Sequence, residues 1–307
     1  MAGEVCFAEA YDRLRYFLPA ENIYIISLAR YLPAIAEELS QLPPENLIGE
    51  PVGRDTANAI ALSAAILHEH DPDTIMGVFT ADHAIRTTEM FAADVQRAFD
   101  AVAGHPDALV TFGIKPTEVH TGLGYIERGE QVSPGVYRVS SFREKPDAQT
   151  ATGYLSSGRH YWNSGMFVWR TDAILRELQC RLPDTVASVA KLAQGWFSPE
   201  GAKLAAEVYP TLTRISIDFA VMEHAKNVLV VEGNFEWHDV GNWTALEKVL
   251  RSDEAGNVHA ATYTSMTDSR GSIVVSEGDH LIATIGVENL IVVHSENATL
   301  VCHRDRI

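Results

Sequence analysis

Short apolar runs alternate with helical periods through the first two-thirds of the chain, and this alternation narrows the fold more than any other feature. "NIYIIS" (22–27), "TIMGVFT" (74–80) and "ALVTFGI" (108–114) have the length of buried strands. Between them, "RYLPAIAEEL" (30–39), "RDTANAIALSAAILHEH" (54–70) and "TTEMFAADVQRAFDAVA" (87–103) read as helices, the second with Ile60, Ala64 and Leu67 on one face. Such alternation predicts an α/β domain whose sheet is mostly parallel and covered on both faces, with ligands gathering beyond the carboxyl ends of the strands. Residues 115–170 are richer in Gly and β-formers, and helices return from 171 to about 225. Near Ser252–Gly256 the pattern stops. From Asn257 onward, short strands with turn signals replace any helical period. The sequence therefore predicts a core over 1–252 and a small all-β region, open to a coiled arrangement, over 253–307.

Charge restricts the partners. The 307 residues carry 41 acidic against 24 basic side chains, a formal net charge of −17, with no Lys/Arg run. That balance argues against nucleic acid and anionic membranes as partners. An anionic substrate would have to be held by a few placed cations or by a metal. Cys6, Cys180 and Cys302 are odd in number, far apart and without a CxxC pair, which argues against a disulfide framework or zinc site and fits a reducing cytoplasm. No apolar run approaches the ~18–20 residues that span a bilayer. "MAGEVCFAEAYDRLRYF" has acids among its apolar residues and no basic leading stretch, so it reads as an amphipathic helix and not as a signal peptide.

Several residues could do chemistry. Asp82 follows the strand "TIMGVFT", and Asp239 lies in "WHDVGNW" at a loop-to-helix entry. Each is either a helix cap or a hard oxygen ligand, and two converging carboxylates suit Mg²⁺, which takes one or two of them plus substrate phosphates. His83 and His238, beside these acids, read as structural. In "FREKPD" (142–147) a carboxylate and an ammonium stand side by side at a strand end closed by Pro146. Successive strand side chains point to opposite faces, so Glu144 and Lys145 are expected to find separate partners. Lys145 is a candidate phosphate cation and Glu144 a candidate acceptor for sugar hydroxyls; an exposed charged strand end is the plainer alternative. "TGLGYI" allows close backbone approach at Gly122 and Gly124. "WNSGMF" offers Asn163 and Ser164 beside Gly165, and "EPVGRDTANAI" places Arg54, Asp55 and Thr56 at a helix N-terminus, as an anion- or base-binding nest or as a well-capped helix.

In this order, "EPVGRDTANAIALSAA", "ADH", "GIKPTEVHTGLGYIERG", "FREKPD…TATGYLSSGRHYWNSGMFVW", "WHDVGNW" and "IVVHSENATLVCHRDR" resemble the bacterial mannose-1-phosphate guanylyltransferases, members of the sugar-nucleotidyltransferase superfamily. The resemblance covers residues 5–307. It implies a Rossmann-like α/β nucleotidyltransferase core with a mixed sheet and a short β-helical C-terminal region. It implies transfer of GMP from GTP to α-D-mannose 1-phosphate with Mg²⁺, giving GDP-mannose and pyrophosphate, in the cytoplasm. Carried over position by position, Asp82 and Asp239 become metal ligands, and Lys145 contacts the sugar's phosphate. Gly124, Glu144, Asn163 and Gly165 line the sugar site, while Arg54, Asp55 and Thr56 fall by the guanine and ribose. Relatives often form homodimers. Two other readings stand beside this one: a non-catalytic sugar-nucleotide-binding paralogue, and a nucleotidyltransferase for another hexose 1-phosphate.

The resembled family opens with an apolar strand, a G-G-x-G-x-R loop and a P-K-Q segment that hold the triphosphate, and the sequence as written has no counterpart. Either Met1 is a misassigned start or the chain is a truncated paralogue. The 307-residue form is on that basis expected to be weakly active or inactive.

Overall fold

His160–Arg170, eleven residues of nearly continuous apolar and aromatic character, form the strand on which the main sheet is assembled. In this computed structural model, which describes residues 2–276 and 278–306 with side chains from Phe7 onward, that strand bonds antiparallel to three others: Ile75–Val78, Leu109–Ile114 and Tyr125–Ser133. The six-stranded sheet runs in the order Ile75–Val78, His160–Arg170, Leu109–Ile114, Val228–Glu232, Val136–Arg143, Tyr125–Ser133. Only Leu109–Ile114 with Val228–Glu232 pairs parallel within it. The mostly parallel sheet expected from alternation is thus corrected to a mixed one, as the resemblance implied. Ile75–Val78 and Leu109–Ile114 do run in the same direction, but His160–Arg170 inserts between them and reverses both pairings. Ile25–Leu28 and Leu47–Glu50 make a separate parallel pair.

The chain divides into two compact units. One comprises Asp12–Thr80 and Thr87–Phe235 and contains this sheet; the other comprises Met1–Tyr11, Ala81–Arg86 and Glu236–Ile307. In the first, Thr56–His70 is helical because Asp55 caps it, its carboxylate accepting from the Thr56 N–H at 2.9 Å. That helix buries Ile60, Ala61, Ala64 and Ile66 in a core shared with Phe167, Trp169, Ile174 and Leu178. The helix Thr88–Gly104 packs against the sheet through Phe91, Val95, Ala98 and Val102, all fully buried. The rings of Phe79, Phe91, Phe112 and Phe235 meet there with centroids 5.2–6.5 Å apart. Edge-to-face pairs of this kind add about 0.5–1.5 kcal/mol each beyond area burial.

In the second unit, His83–Ile85 and Trp237–Asp239 form a short antiparallel ladder. Beyond it the chain coils. Val258–Ala260, Ile273–Ser276 and Leu290–Ser295 stack parallel, and between these visits the chain crosses to a second parallel pair, Tyr263–Thr267 with Leu281–Ile285. Val258 faces Ile273 and Ile273 faces Ile291, so a small apolar column of Val258, Ile273, Val275 and Ile291 runs up the coil. The buried Asn257 holds its base, donating to Asp253 and to the Ser269 carbonyl and accepting from the Ser272 N–H. Ala298–His303 closes the stack antiparallel. Among the described residues no helix is long and apolar enough to cross a membrane.

Gly113 stands where Leu109–Ile114 meets its neighbours most closely. A Cβ there would come within 2.7 Å of Tyr161 Cβ and Val230 Cγ2, neither of them the far end of a flexible side chain. Gly113→Ala is expected to destabilise the protein by about 1–3 kcal/mol, the usual range for overpacking; urea unfolding with an unchanged midpoint would show the contact to be looser than described.

Candidate active site

A break in the ladder of His160–Arg170 creates the site in the first unit. Thr111 faces Phe167 but Gly113 faces Asn163, so the single residue Phe112 on one strand lies opposite three, 164–166, on the other. The surplus is absorbed at Gly165, whose φ of +68° is left-handed backbone that glycine adopts without strain. Asn163 is thereby buried in a network. Its Oδ1 accepts from the Thr111 hydroxyl at 3.0 Å and from the Gly165 N–H at 3.3 Å, and its Nδ2 donates to Asp218 Oδ1 at 2.8 Å. The Asn163 N–H donates to the Gly124 carbonyl at 2.8 Å.

Gly124 in turn lies against Glu144: a Cβ at Gly124 would sit 2.5 Å from Glu144 Oε2 and 3.4 Å from Asn163 Cβ. A side chain at this position would displace the carboxylate, the far end of the Glu144 side chain, from where it lies. Glu144 and Lys145 follow the end of Val136–Arg143, and Lys145 has φ +43°, left-handed backbone in a bulky residue that also precedes proline. Such strain costs on the order of 1–3 kcal/mol and persists where the surroundings impose it. It also overturns the expectation that Glu144 and Lys145 find separate partners. The turn at Lys145 removes both from strand geometry, and Lys145 Nζ approaches Glu144 Oε1 at 3.4 Å. Glu144 is 10% exposed and Lys145 58%, so the ammonium remains open to solvent. Asp147 then caps the helix Ala148–Ser157, accepting from the Thr150 N–H at 2.8 Å.

Burial, and secondarily the charge of Glu223, raise the Glu144 carboxyl, while Lys145 pulls it back. Glu223 Oε1 accepts the Glu144 N–H at 2.9 Å. Asp218 is pushed from 3.8 up to about 6, first by burial and then by the charge of Glu144, against the Asn163 hydrogen bond and Lys145. Sequence reading missed Thr111, Asp218 and Glu223. An "ID" and an "ME" inside a helical stretch carry no signal of their own.

Beside Lys145 opens a cavity of about 530 Å³ lined by Asp55, Lys145, Arg214, Ile215, Ser216 and Phe219. Arg214 is 74% exposed and lies 3.9 Å from Asp55 Oδ2, and the Phe219 ring is 46% exposed. Asp55 has φ +69°. The other two residues of this group have structural partners. Arg54 donates through Nη2 to the Pro210 carbonyl, and Thr56 Oγ1 accepts the Ile217 N–H at 2.9 Å.

Asp82 and Asp239 lie together in the second unit. Asp239 pairs with His83, the residue that follows Asp82, at one end of the ladder. Neither caps a helix. Thr87 precedes Thr88–Gly104, and Asn242 caps the turn Trp243–Ala245 by accepting from the Ala245 N–H. His83 is buried and accepts the Trp237 indole N–H at 3.1 Å; His238 pairs with Glu236 at 3.3 Å. Among the described residues no cluster of three or more His, Cys, Asp or Glu forms a metal cage.

Residues 12–256 match the family described as Nucleotidyl transferase, and residues 266–307 match the MannoseP isomerase/GMP-like beta-helix domain. The chain belongs to the nucleotidyl transferase family. Several of the curated relatives it matches carry the name mannose-1-phosphate guanylyltransferase. It is 39% identical over 304 residues to the mannose-1-phosphate guanylyltransferase of Salmonella muenchen, covering 96% of this chain and 62% of that one. It is 40% identical over 275 residues to xanthan biosynthesis protein XanB of Xanthomonas campestris pv. campestris, covering 89% and 57%. A Thermus thermophilus structure described as mannose-1-phosphate geranyltransferase superposes with a TM-score of 0.84 at 30% identity, covering 98% of this chain and 85% of that one. The chain spans about three-fifths of the length of the curated relatives it matches.

Asp218 gives this nucleotidyltransferase a measurable cost. A carboxyl whose pKa is raised by folding favours the native state below its unfolded pKa and loses that contribution as pH rises from about 4 through about 6. Asp218→Asn is therefore expected to stabilise the protein by about 1–2 kcal/mol near pH 8 and not near pH 3.5. Denaturant unfolding at the two pH values checks this; a variant no more stable than wild type at the higher pH would contradict it.

Proposed function

We propose that this nucleotidyltransferase transfers GMP from GTP to α-D-mannose 1-phosphate, giving GDP-mannose and pyrophosphate. The observation that carries the reading is the junction of Gly124, Glu144, Lys145 and Asn163 around a strained backbone, with the Lys145 ammonium left open beside a cavity. Glu144 and the second side-chain N–H of Asn163, the one not given to Asp218, suit sugar hydroxyls. Lys145, a compact charge on a flexible stem, suits the sugar's phosphate. Gly165 shapes the sugar site by letting the strand bulge. Asp55 and Arg214 would lie toward the nucleoside side, with Arg54 and Thr56 fixing that loop and not contacting the base directly.

In the reaction an oxygen of the sugar phosphate attacks the α-phosphorus of GTP. The new P–O bond forms as the bond from the α-phosphorus to the α,β-bridging oxygen breaks, and pyrophosphate leaves with that electron pair. A phosphate monoester is already largely dianionic at neutral pH, with a second pKa near ~6, so no general base is needed. Lys145 would hold the attacking phosphate and neutralise charge that develops there, and the protein's main contribution would be positioning. Asp82 and Asp239 would hold Mg²⁺. Two hard carboxylates near the same end of one ladder, neither spent on a helix cap, suit an ion that completes its shell with water and substrate oxygens. When bound, that ion would supply charge neutralisation to the triphosphate. The free thiols of Cys180 and Cys302 accord with a cytoplasmic setting.

The test is pyrophosphate release from GTP in the presence of Mg²⁺ with mannose 1-phosphate, and separately with glucose 1-phosphate. Release that requires mannose 1-phosphate supports the reading. Release indifferent to the sugar, or GDP-mannose binding without any turnover, would overturn it in favour of another hexose or a binding role. Lys145→Ala is expected to cut turnover by about 10²-fold or more; near-normal turnover would remove Lys145 from its assigned role.

A further inference from the structure

The mechanism above makes no use of Asp218, although its carboxyl is one of the least comfortable groups in the protein. We propose that Asp218 is a positioning residue of the sugar pocket, holding the Asn163 amide so that its one uncommitted N–H is presented to a ligand hydroxyl as a donor. The inference rests on the proposed function for the identity of the ligand, but its geometry is independent of it.

A side-chain amide can turn over about its last bond, exchanging donor for acceptor, unless its partners forbid it. At Asn163 they do. The Gly165 N–H can only donate and reaches Oδ1 at 3.3 Å. An ionised carboxylate can only accept, and Asp218 Oδ1 takes the Nδ2 proton at 2.8 Å. The Thr111 hydroxyl lies 3.0 Å from Oδ1 and 3.2 Å from the Met166 carbonyl, so its single proton accommodates this orientation without enforcing it. One lone pair of the oxygen is taken by the Gly165 N–H and one of the two amide N–H bonds by Asp218, which leaves a single uncommitted donor. Asp218 begins a π-helical turn, Asp218–Met222, the rare i→i+5 geometry that recurs at functional sites. A carboxylate that served only the fold would be cheaper as an amide.

The charged groups around Asp218 are Glu144 and Lys145 from the strand end and, behind Glu144, Glu223 from the following turn. Glu144 is the group that could imitate Asp218, so it needs its own control. With a carboxyl near 6, Asp218 loses its charge just below neutrality. A protonated carboxyl can donate in place of accepting, so its hold on the Asn163 Nδ2 proton weakens and only the Gly165 N–H continues to favour this orientation of the amide. Sugar binding should therefore weaken on the acid side. The ligand class is a hexose with an acceptor hydroxyl at the Asn163 position.

Two measurements test this. In the ligand-free protein, the side-chain ¹⁵N–H₂ resonances of Asn163, identified by their disappearance in Asn163→Ser, should shift with a midpoint near pH 6, persist in Glu144→Gln and become flat in Asp218→Asn. Resonances that do not move with pH in the wild type, or that titrate unchanged in Asp218→Asn, overturn the proposal. The second measurement is calorimetry with GDP-mannose, whose phosphodiester groups do not titrate in this range. Affinity should fall by about tenfold from about pH 8 to about pH 5 in the wild type and stay level in Asp218→Asn, which retains an acceptor. Asp218→Ala, lacking one, should bind about ten- to a hundredfold more weakly at the higher pH. Equal pH slopes in the wild type and Asp218→Asn count against the proposal. Failure of the wild type to bind GDP-mannose at any pH counts against the proposed function, and the amide resonances still decide the role of Asp218.

Discussion

The break in the His160–Arg170 ladder is the constraint from which the site follows. A strand that pairs with three neighbours has little freedom, so an irregularity inside it is held in place from both sides. Gly165 supplies the left-handed residue, Asn163 is turned into the network with Thr111 and Asp218, and the Asn163 N–H fixes Gly124 opposite. The bare Cα of Gly124 then admits Glu144, and the chain must reverse sharply at Lys145. Each of these positions depends on the previous one. The charged end of the sequence "FREKPD" is thus held in place by a neutral amide on a different strand.

A second dependence connects the segment Tyr209–Asp218 to the loop at Glu50–Asn58. Tyr209 donates to Glu50 at 2.6 Å, Asn58 donates to the Thr213 carbonyl at 2.8 Å, and the Ala57 and Ile217 N–H groups bond across the same seam. Burial raises Glu50, and the Tyr209 hydroxyl partly offsets that. The seam ends at Ile217, the residue before Asp218. The loop carrying Asp55 and the segment that leads into Asp218 therefore share one set of backbone hydrogen bonds.

Some of this was legible in the sequence because it is local. Helix Thr56–His70 announces itself by its periodicity and its Asp55 cap, and the change of pattern near Asn257 marks the coiled region. Gly124, Glu144, Lys145 and Asn163 stood out through ordered motifs, and the structure does bring them together. What was hidden depends on pairings between distant segments. The direction of the sheet turns on where His160–Arg170 inserts, which no window of sequence contains. The coil has no strict repeat to find, since the spacing between stacked residues changes from Val258–Ile273 to Ile273–Ile291. The ion pair of Glu144 with Lys145 contradicts strand periodicity because a left-handed residue intervenes. Asp218, Thr111 and Arg214 acquire meaning only through neighbours remote in sequence.

The central claim is that a hexose 1-phosphate occupies the junction of Gly124, Glu144, Lys145 and Asn163. Crystals of the protein soaked with mannose 1-phosphate test it most directly. The account predicts density with sugar hydroxyls against Glu144 and Asn163 and the phosphate on Lys145. Density for the sugar phosphate elsewhere, with this junction left to solvent, would contradict it.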